Sequence, residues 1–487
     1  MVNLLTLRNL VIIFLIFFFS VVEAQIGYAP YEPKCPRRPY EVDSNRVSGP
    51  PPIIEDLEWV SQFGFSGLQK NRLKLVVDSK DNIYLSGEVS FDENQEFCSH
   101  FKSSAYIVRY NSKGEPDEEW DSYGYKTFAS DLDFKDDFIS DFLVDDFDNL
   151  YIIFHTYDEG FPIRCEILKY LPNGSLDVSW AVYGILPFNH NIYDIRQVNK
   201  EQVCPYTISK AEDGSIFIAG ALRTVSTKID NTEIGWDLES KTIIYKLLNN
   251  GDFDVSWGDK GSLVISDAEF YWYNDFGGDF LVIEDYLLLE TSNGVFIRIT
   301  PDAQLDKSWG DEGIYKTEDS IGFQQSRNGN VFVTNYKSKD NEITGKPGSV
   351  IVSYENTMQT INWEPNIVFL QSTTITNRLR IFATDKYYYA AGTIDWELLR
   401  PMGISLPMMM VMERFFKNGD HDDSWGSKGY KFFGTFDFGE EISGLLADSN
   451  GDLIVIGMTG GNLGGDSCNS PGISCSAEYS FVAKIEQ

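Results

Sequence analysis

Histidine is scarce: the 487 residues hold only His100, His155, His190 and His421, scattered without ligand spacing. That disfavours a zinc centre, and no H-E-x-x-H run occurs. Signatures of nucleophilic and nucleotide chemistry are also missing: no G-x-S-x-G elbow, no Walker loop and no G-x-G-x-x-G between strand and helix. Positive charge is short, with 40 Lys and Arg against 73 Asp and Glu, and the net charge of −33 is spread through every segment. Such a surface disfavours nucleic acid and anionic membrane as partners and suits solubility, cationic ligands or calcium. Beyond the amino terminus no stretch approaches 18 uninterrupted apolar residues, so no membrane insertion is expected.

What is present starts with "MVNLLTLRNLVIIFLIFFFSVVEAQ". Arg8 forms a positive n-region, Leu10 to Phe19 an apolar core, and Val22 and Ala24 sit where a signal peptidase prefers small residues. The expectation is a signal peptide over 1–24, an extended segment over 25–52, a folded region over 53–487, and a secreted, extracellular product. Six cysteines in the mature part fit up to three disulfides. Cys468 and Cys475, flanking "NSPGIS", are the nearest pair; Cys165 with Cys204 and Cys35 with Cys98 are one of three ways to join the rest.

Seven of the 10 tryptophans fall on one repeat. "DLEW" ends at Trp59, "DEEW" at Trp120, "DVSW" at Trp180 and again at Trp257, "DKSW" at Trp309, a worn "TINW" at Trp363, and "DDSW" at Trp425. The intervals are 61, 60, 77, 52, 54 and 62 residues, a period that signals a solenoid or propeller. In most units two apolar runs joined by a turn precede the motif, as in "LVVDSKDNIYLSG", "FLVDDFDNLYIIF" and "LLADSNGDLIVIG". These read as β-hairpins with Asp, Asn and Gly at the turn. A third run follows, such as "AYIVRY", "CEILKY" or "MVMERF", and the Asp-x-x-Trp element reads as the fourth strand or its approach.

Four short antiparallel strands in about 60 residues make a propeller blade, so the expected fold is all-β: a seven-bladed β-propeller of four-stranded antiparallel blades. The last unit ends at Gln487 without an eighth tryptophan motif, while "EDLEWVSQFGFSG" at 55–67 has no three strands before it. The N-terminal strand is therefore expected to close the last blade, leaving no unpaired sheet edge.

"NGSLDVSW", "NGDFDVSW", "LDKSWGDEG" and "NGDHDDSWGSKG" resemble the delta-60 repeat, a propeller-type repeat best known from secreted or surface bacterial proteins, with a "G-x-L-D-x-S/T-F-G-x-x-G" core. The resemblance covers roughly 53–487; copies at Trp120 and Trp180 lack the final glycine-rich pattern, and the copy at Trp363 has lost its Asp and Asn-Gly. It implies a scaffold and transfers no catalytic residues.

One active site cannot explain an acid that recurs in frame at Asp56, Asp117, Asp177, Asp254, Asp306 and Asp422. A turn-capping Asp with a Trp three residues on, buried between neighbouring blades, can. A cation recurs in the third run at Arg109, Lys169, Lys246, Arg298, Arg414 and Lys484, suiting an ion pair within the blade or a bond to the turn. The turns "DSKDN", "DDFDN" and "DSNGD" offer oxygen ligands, so calcium is the one metal considered and no other cofactor is expected. In "DSNGD" the twelfth position, where an EF-hand has Glu, is Thr459.

Two stretches break the repeat, "LRTVSTKIDNTEIGWDLESK" (222–241) and "GTIDWELLRPMGISLPMMMVMERF" (392–415). Read as loops on one face, they make Trp236 and Trp396 the candidate binding residues. Asn173 in "NGS" is the N-glycosylation sequon. The function expected is a binding module for an extracellular protein or glycan, more an interaction protein than an enzyme, with oligomeric state left open. The alternative is an extracellular hydrolase or lyase on the same ring, with calcium as an option.

Overall fold

The structure is a computed structural model and describes residues 53–54, 57–63, 68–91, 102–121, 124–128, 136–158, 161–189, 201–230, 233–266, 280–283, 286–291, 295–316, 323–325, 331–337, 348–354, 366–370, 377–384, 386–395, 408–434, 441–459 and 479–486. β-Branched and aromatic runs bounded by Asp, Asn and Gly form strands throughout, and among the described residues there is no helix. Two short strands come first, β1 (Ile53–Ile54) and β2 (Leu57–Phe63). Sheet one is β3 (Leu68–Val77), β4 (Ile83–Phe91), β5 (Lys102–Tyr110) and β6 (Tyr125–Phe128). Sheet two is β7 (Asp136–Val144), β8 (Leu150–Asp158), β9 (Phe161–Tyr170) and β10 (Ile185–Asn189). Sheet three is β11 (Glu201–Lys210), β12 (Ile216–Asp230), β13 (Glu233–Leu247) and β14 (Ser262–Ile265). Sheet four is β15 (Phe280–Ile283), β16 (Tyr286–Glu290), β17 (Val295–Ile299) and β18 (Ile314–Lys316). Sheet five is β19 (Phe323–Gln325), β20 (Val331–Lys337), β21 (Gly348–Tyr354) and β22 (Asn366–Leu370). Sheet six is β23 (Asn377–Ala383), β24 (Tyr387–Asp395), β25 (Met408–Phe416) and β26 (Tyr430–Gly434); β27 (Glu441–Ala447), β28 (Leu453–Thr459) and β29 (Tyr479–Ile485) belong to sheet seven.

Sheets one to five are antiparallel meanders in chain order, and sheets six and seven are the same with one added strand each. The two leading strands attach at the far end of the sequence. β2 lies on β29, Leu57 opposite Ile485 and Phe63 opposite Ser480, and makes sheet seven four-stranded. β1 pairs with β26, Ile53 opposite Gly434, and turns sheet six into a five-stranded sheet. A two-residue strand carries no periodicity, so this second attachment had no sequence signal.

Central strands are apolar on both faces. Ile152 and Ile153 are consecutive, point to opposite sides of β8, and are both fully buried. Each face is covered by a neighbouring sheet: Tyr84, Ile107 and Trp120 of sheet one pack with Phe142 and Ile152 of sheet two. Tyr151, Ile153 and Trp180 pack with Ile208, Ile218 and Leu247 of sheet three. Ile244 and Trp257 pack with Leu287, Leu289 and Ile297 of sheet four. Met410, Met412 and Trp425 of sheet six pack with Val455 and Phe481 of sheet seven. Ile454, Ile456 and Val482 of sheet seven in turn pack on Leu75, Leu85 and Val108 of sheet one. Each large side chain so buried contributes about 1.5–3 kcal/mol.

A disulfide joins β9 to β11 through Cys165 and Cys204, with Cα atoms 5.6 Å apart. Cys35, Cys98, Cys468 and Cys475 lie outside the described residues. Among the described copies, the Asp-x-x-Trp element of sheets one to four and six is the approach to the fourth strand, a turn held by bonds such as Trp180 N–H to the Asp177 carbonyl (3.0 Å); the copy at Trp59 lies in a strand. One expectation needs correction. The insertion at 222–241 is not a loop: it is the continuation of β12 and β13, paired without a break from Ile216↔Leu247 to Asp230↔Glu233.

Candidate binding surfaces

The sheets present two ends. At one, tight turns join first to second and third to fourth strands; at the other lie the second-to-third connections. The turn end is built from one repeated unit. Asp177 Oδ1 accepts the Ser179 N–H (3.2 Å) and hydroxyl (2.6 Å), while Oδ2 meets Lys169 Nζ at 3.0 Å. The pattern recurs in Asp254 with Ser256 and Lys246 (3.3 Å), in Asp306 with Ser308 and Arg298 (2.9 Å), and in Asp422 with Ser424 and Arg414 (2.7 Å). Asp117 pairs with Arg109 at 3.2 Å. Lys484 instead meets Asp448 and Asp452 of the neighbouring hairpin turn.

The same cations lie over a second-strand ring, Arg109 on Tyr84 and Lys169 on Tyr151, both at 5.3 Å. Each of those rings meets the buried Trp edge-on: Tyr84 with Trp120, Tyr151 with Trp180, Phe217 with Trp257, at 5.5–5.7 Å. Burial alone would raise the Asp177 and Asp422 carboxyls, but the Ser and cation bonds outweigh it and hold both below the usual range. For Asp254 the Ser256 hydroxyl is the largest cause of the same downward shift. Four tryptophans sit between sheets: Trp120, Trp180, Trp257 and Trp425. Trp309 is also buried. Gly251 of the next sheet's turn would place a Cβ 2.8 Å from Trp180, and Trp257 Nε1 donates to the Pro301 carbonyl at 3.0 Å.

The hairpin tips bind one another. Asp148 of sheet two accepts from the Ser79 N–H (3.1 Å) and hydroxyl (3.0 Å) of sheet one, and Asp81 of sheet one accepts from Ser449 of sheet seven (2.9 Å). The acids weighed for calcium are engaged in their own turns: Asp78 accepts from the Lys80 and Asn82 N–H groups, Asp145 from Phe147 and Asn149, and Asp448 from Asn450 and Asp452. Asn173 is exposed, its Oδ1 accepting both the N–H and the hydroxyl of Ser175. An open groove of about 810 Å³ lies between the third-to-fourth-strand turns of sheets three and four, lined by Asp254, Asp259, Asp302 and Lys246 among others.

At the opposite end β12 and β13 outrun their sheet. β11 reaches only Thr224 on β12, and β14 reaches only Thr242 on β13. Residues Val225 to Asp230 pair with Glu233 to Leu238 as a ribbon that is two-stranded among the described residues, about 20 Å long at ~3.3 Å per residue. Trp236 stands opposite Thr227 in this ribbon. Trp396 and Trp363 lie outside the described residues, and Met408–Phe416 is a strand with Met410 and Met412 buried.

Below the ribbon the border of sheets two and three holds a buried polar network that the sequence did not suggest. His155 Nε2 meets the Pro205 carbonyl at 2.7 Å, the Tyr157 and Tyr206 hydroxyls are 3.0 Å apart, and Arg223 donates to Tyr206 at 3.0 Å. Asp141 accepts from Thr207 (2.8 Å) and the Ile208 N–H (3.0 Å) and is bonded to Lys74 of sheet one. With His155 fully buried among Phe138, Tyr157 and Tyr206, this network fastens sheets together and offers no exposed base.

No protein-family model matches the chain, and no curated protein does. Among solved structures it is similar to a polysaccharide lyase, PL25 ulvan lyase, at 9% identity over 85% of this chain and 78% of that one, TM-score 0.33. It is also similar to a chain of the mitotic checkpoint complex (6% identity, 93% and 100% covered, TM-score 0.41) and to BamB from Moraxella catarrhalis (10%, 87% and 100%, TM-score 0.28). These are β-propeller-like proteins.

Proposed function

We propose that the chain is a secreted protein whose region 53–487 closes into a ring of seven blades, β2 completing the last, and that it is a binding module for an extracellular protein or glycan. Support for the ring comes from β2 lying on β29 and from sheet seven packing on sheet one. The observation that carries the binding role is the ribbon of β12 and β13. A two-stranded ribbon that outruns its sheet gains little stability of its own, and among the described residues no third strand pairs with this one. Its place is at the end opposite the repeated turns, whose acids and tryptophans are engaged in the fold.

The test replaces residues 225–238 with a two-residue turn. The variant should be secreted and melt as the parent does, and should lose binding to immobilised extracellular glycans or to cell-surface protein. Turnover of a polysaccharide or ester substrate by the purified chain, kept in the variant, would overturn the reading. An N-glycan at Asn173 belongs to it as well: an endoglycosidase should shift the mass of the secreted protein, and Asn173→Gln should abolish that shift.

A further inference from the structure

Eight large apolar side chains are exposed among the described residues, and seven of them belong to sheets two and three: Phe147, Val178, Val182, Tyr183, Leu248, Val255 and Val264. Single exposed apolar residues need no explanation, but a cluster on one sector does. The repeat supplies an internal comparison. Where sheet two has Val182 and Tyr183, sheet three has Asp259 and Lys260, sheet four Asp311 and Glu312, and sheet six Ser427 and Lys428. Where its hairpin tip has Phe147, sheets one, three and seven have Lys80, Asp213 and Asn450. The backbone is the same in each copy: Tyr183, Lys260, Glu312 and Lys428 all sit at φ between 53° and 56°. Turn geometry therefore accepts polar side chains at these positions, and nothing in folding asks for aromatic and aliphatic ones. Phe147 is nonetheless 78% exposed, Val182 58% and Tyr183 49%.

Val255 and Val264 adjoin the groove between sheets three and four. The Ala181 N–H donates to the Asn250 carbonyl at 2.9 Å, joining the turn of Val182 and Tyr183 to the turn that carries Leu248. Val255 stands between Asp254 and Ser256, which both line the groove, and Val264 lines it too. Its walls carry Asp254, Asp259 and Asp302 against one cation, Lys246, which is already paired with Asp254. Apolar knobs beside an acidic groove complement lysine or arginine set among aliphatic residues. A second copy of the chain is disfavoured, because each carries a net charge of −33.

We propose that the turn end of sheets two and three, with the adjoining groove, is a docking surface for a protein partner that presents Lys or Arg flanked by aliphatic side chains. It is separate from the ribbon at the other end.

The test uses the full secreted chain and three synthetic dodecapeptides: alternating lysine and leucine, lysine and serine, and glutamate and leucine. Binding is read by fluorescence anisotropy at about 0.15 M salt. One variant, Phe147→Asp with Val182→Ser and Tyr183→Glu, takes residues found at the same positions in other copies. It makes the surface more acidic, so weaker binding of a cationic peptide can come only from lost apolar contact. The other variant is Asp259→Asn with Asp302→Asn. Both should melt as the parent does.

The lysine–leucine peptide should bind the parent roughly tenfold tighter than either other peptide. The first variant should weaken it roughly tenfold, and the second should weaken it and flatten its salt dependence. Equal binding of the lysine–leucine peptide to parent and first variant, or of lysine–leucine and lysine–serine to the parent, would overturn the proposal in favour of diffuse charge attraction. Concentration-dependent dimerisation of the parent, lost in the first variant, would overturn it in favour of a second copy. The chain lacking the ribbon keeps this surface, so failure of one reading leaves the other standing.

Discussion

Trp180 shows what the recurring tryptophan does: Tyr151 meets it edge-on within the sheet, while the Asn250–Gly251 turn and Leu247 of the next sheet cover its other side. Trp180→Ala should destabilise the chain by about 3–5 kcal/mol, seen as a lower denaturation midpoint, because the cavity opens at a border between sheets. The acid beside it makes a second prediction. Asp177, Asp254 and Asp422 titrate below their ordinary value in the native state. A carboxyl depressed in this way contributes stability that is complete above the unfolded value of about 3.9 and is lost as pH falls through the native value. Melting should thus be level from neutrality to about pH 5 and decline below about pH 4. Ser179→Ala removes a 2.6 Å bond to Asp177 and should cost about 1 kcal/mol at neutral pH, with little further cost in acid, where the carboxyl is protonated in both chains.

Strands and turns were largely legible at the scale of the element, because β-branched runs and Asp-, Asn- and Gly-rich turns alternate with a period near 60 residues. What the pattern hid follows from its limits. The excess length of 222–241 suggests a loop, although Thr224, Val225, Thr227 and Ile229 are strand-forming residues; a repeat template marks what is extra without saying what shape it takes. Exposed Phe147 and Tyr183 were invisible for a related reason, since alternation marks apolar residues without telling a core face from an open turn. The polar network around His155 joins residues as far apart as His155 and Pro205, and only tertiary packing brings them together. The disulfide spans a border between elements and closes a loop of 39 residues. Replacing Cys165 and Cys204 by Ser together should lower stability by about 4 kcal/mol if the constraint acts mainly on the unfolded chain. Chemical denaturation of the double variant measures this.

Among the described residues, packing runs from sheet one through sheet four and from sheet six to sheet seven, and sheet seven meets sheet one through Ile454, Ile456 and Val482. Removing residues 53–63 strips β1 from β26 and β2 from β29, leaving two sheet edges unpaired. Light scattering should report aggregation, and calorimetry a broadened transition; a chain that melted unchanged would show that these strands do not hold the ends together.

The pairing of β2 with β29 also sets an order in time. β2 leaves the ribosome well before its partner, with more than four hundred residues between Leu57 and Ile485. Until β29 has been made, β2 lacks this partner, so the nascent chain carries an open strand while everything between them is synthesised. Its survival then depends on the speed of elongation and on chaperones, and a stop codon just before β29 would abolish the contact made by β2.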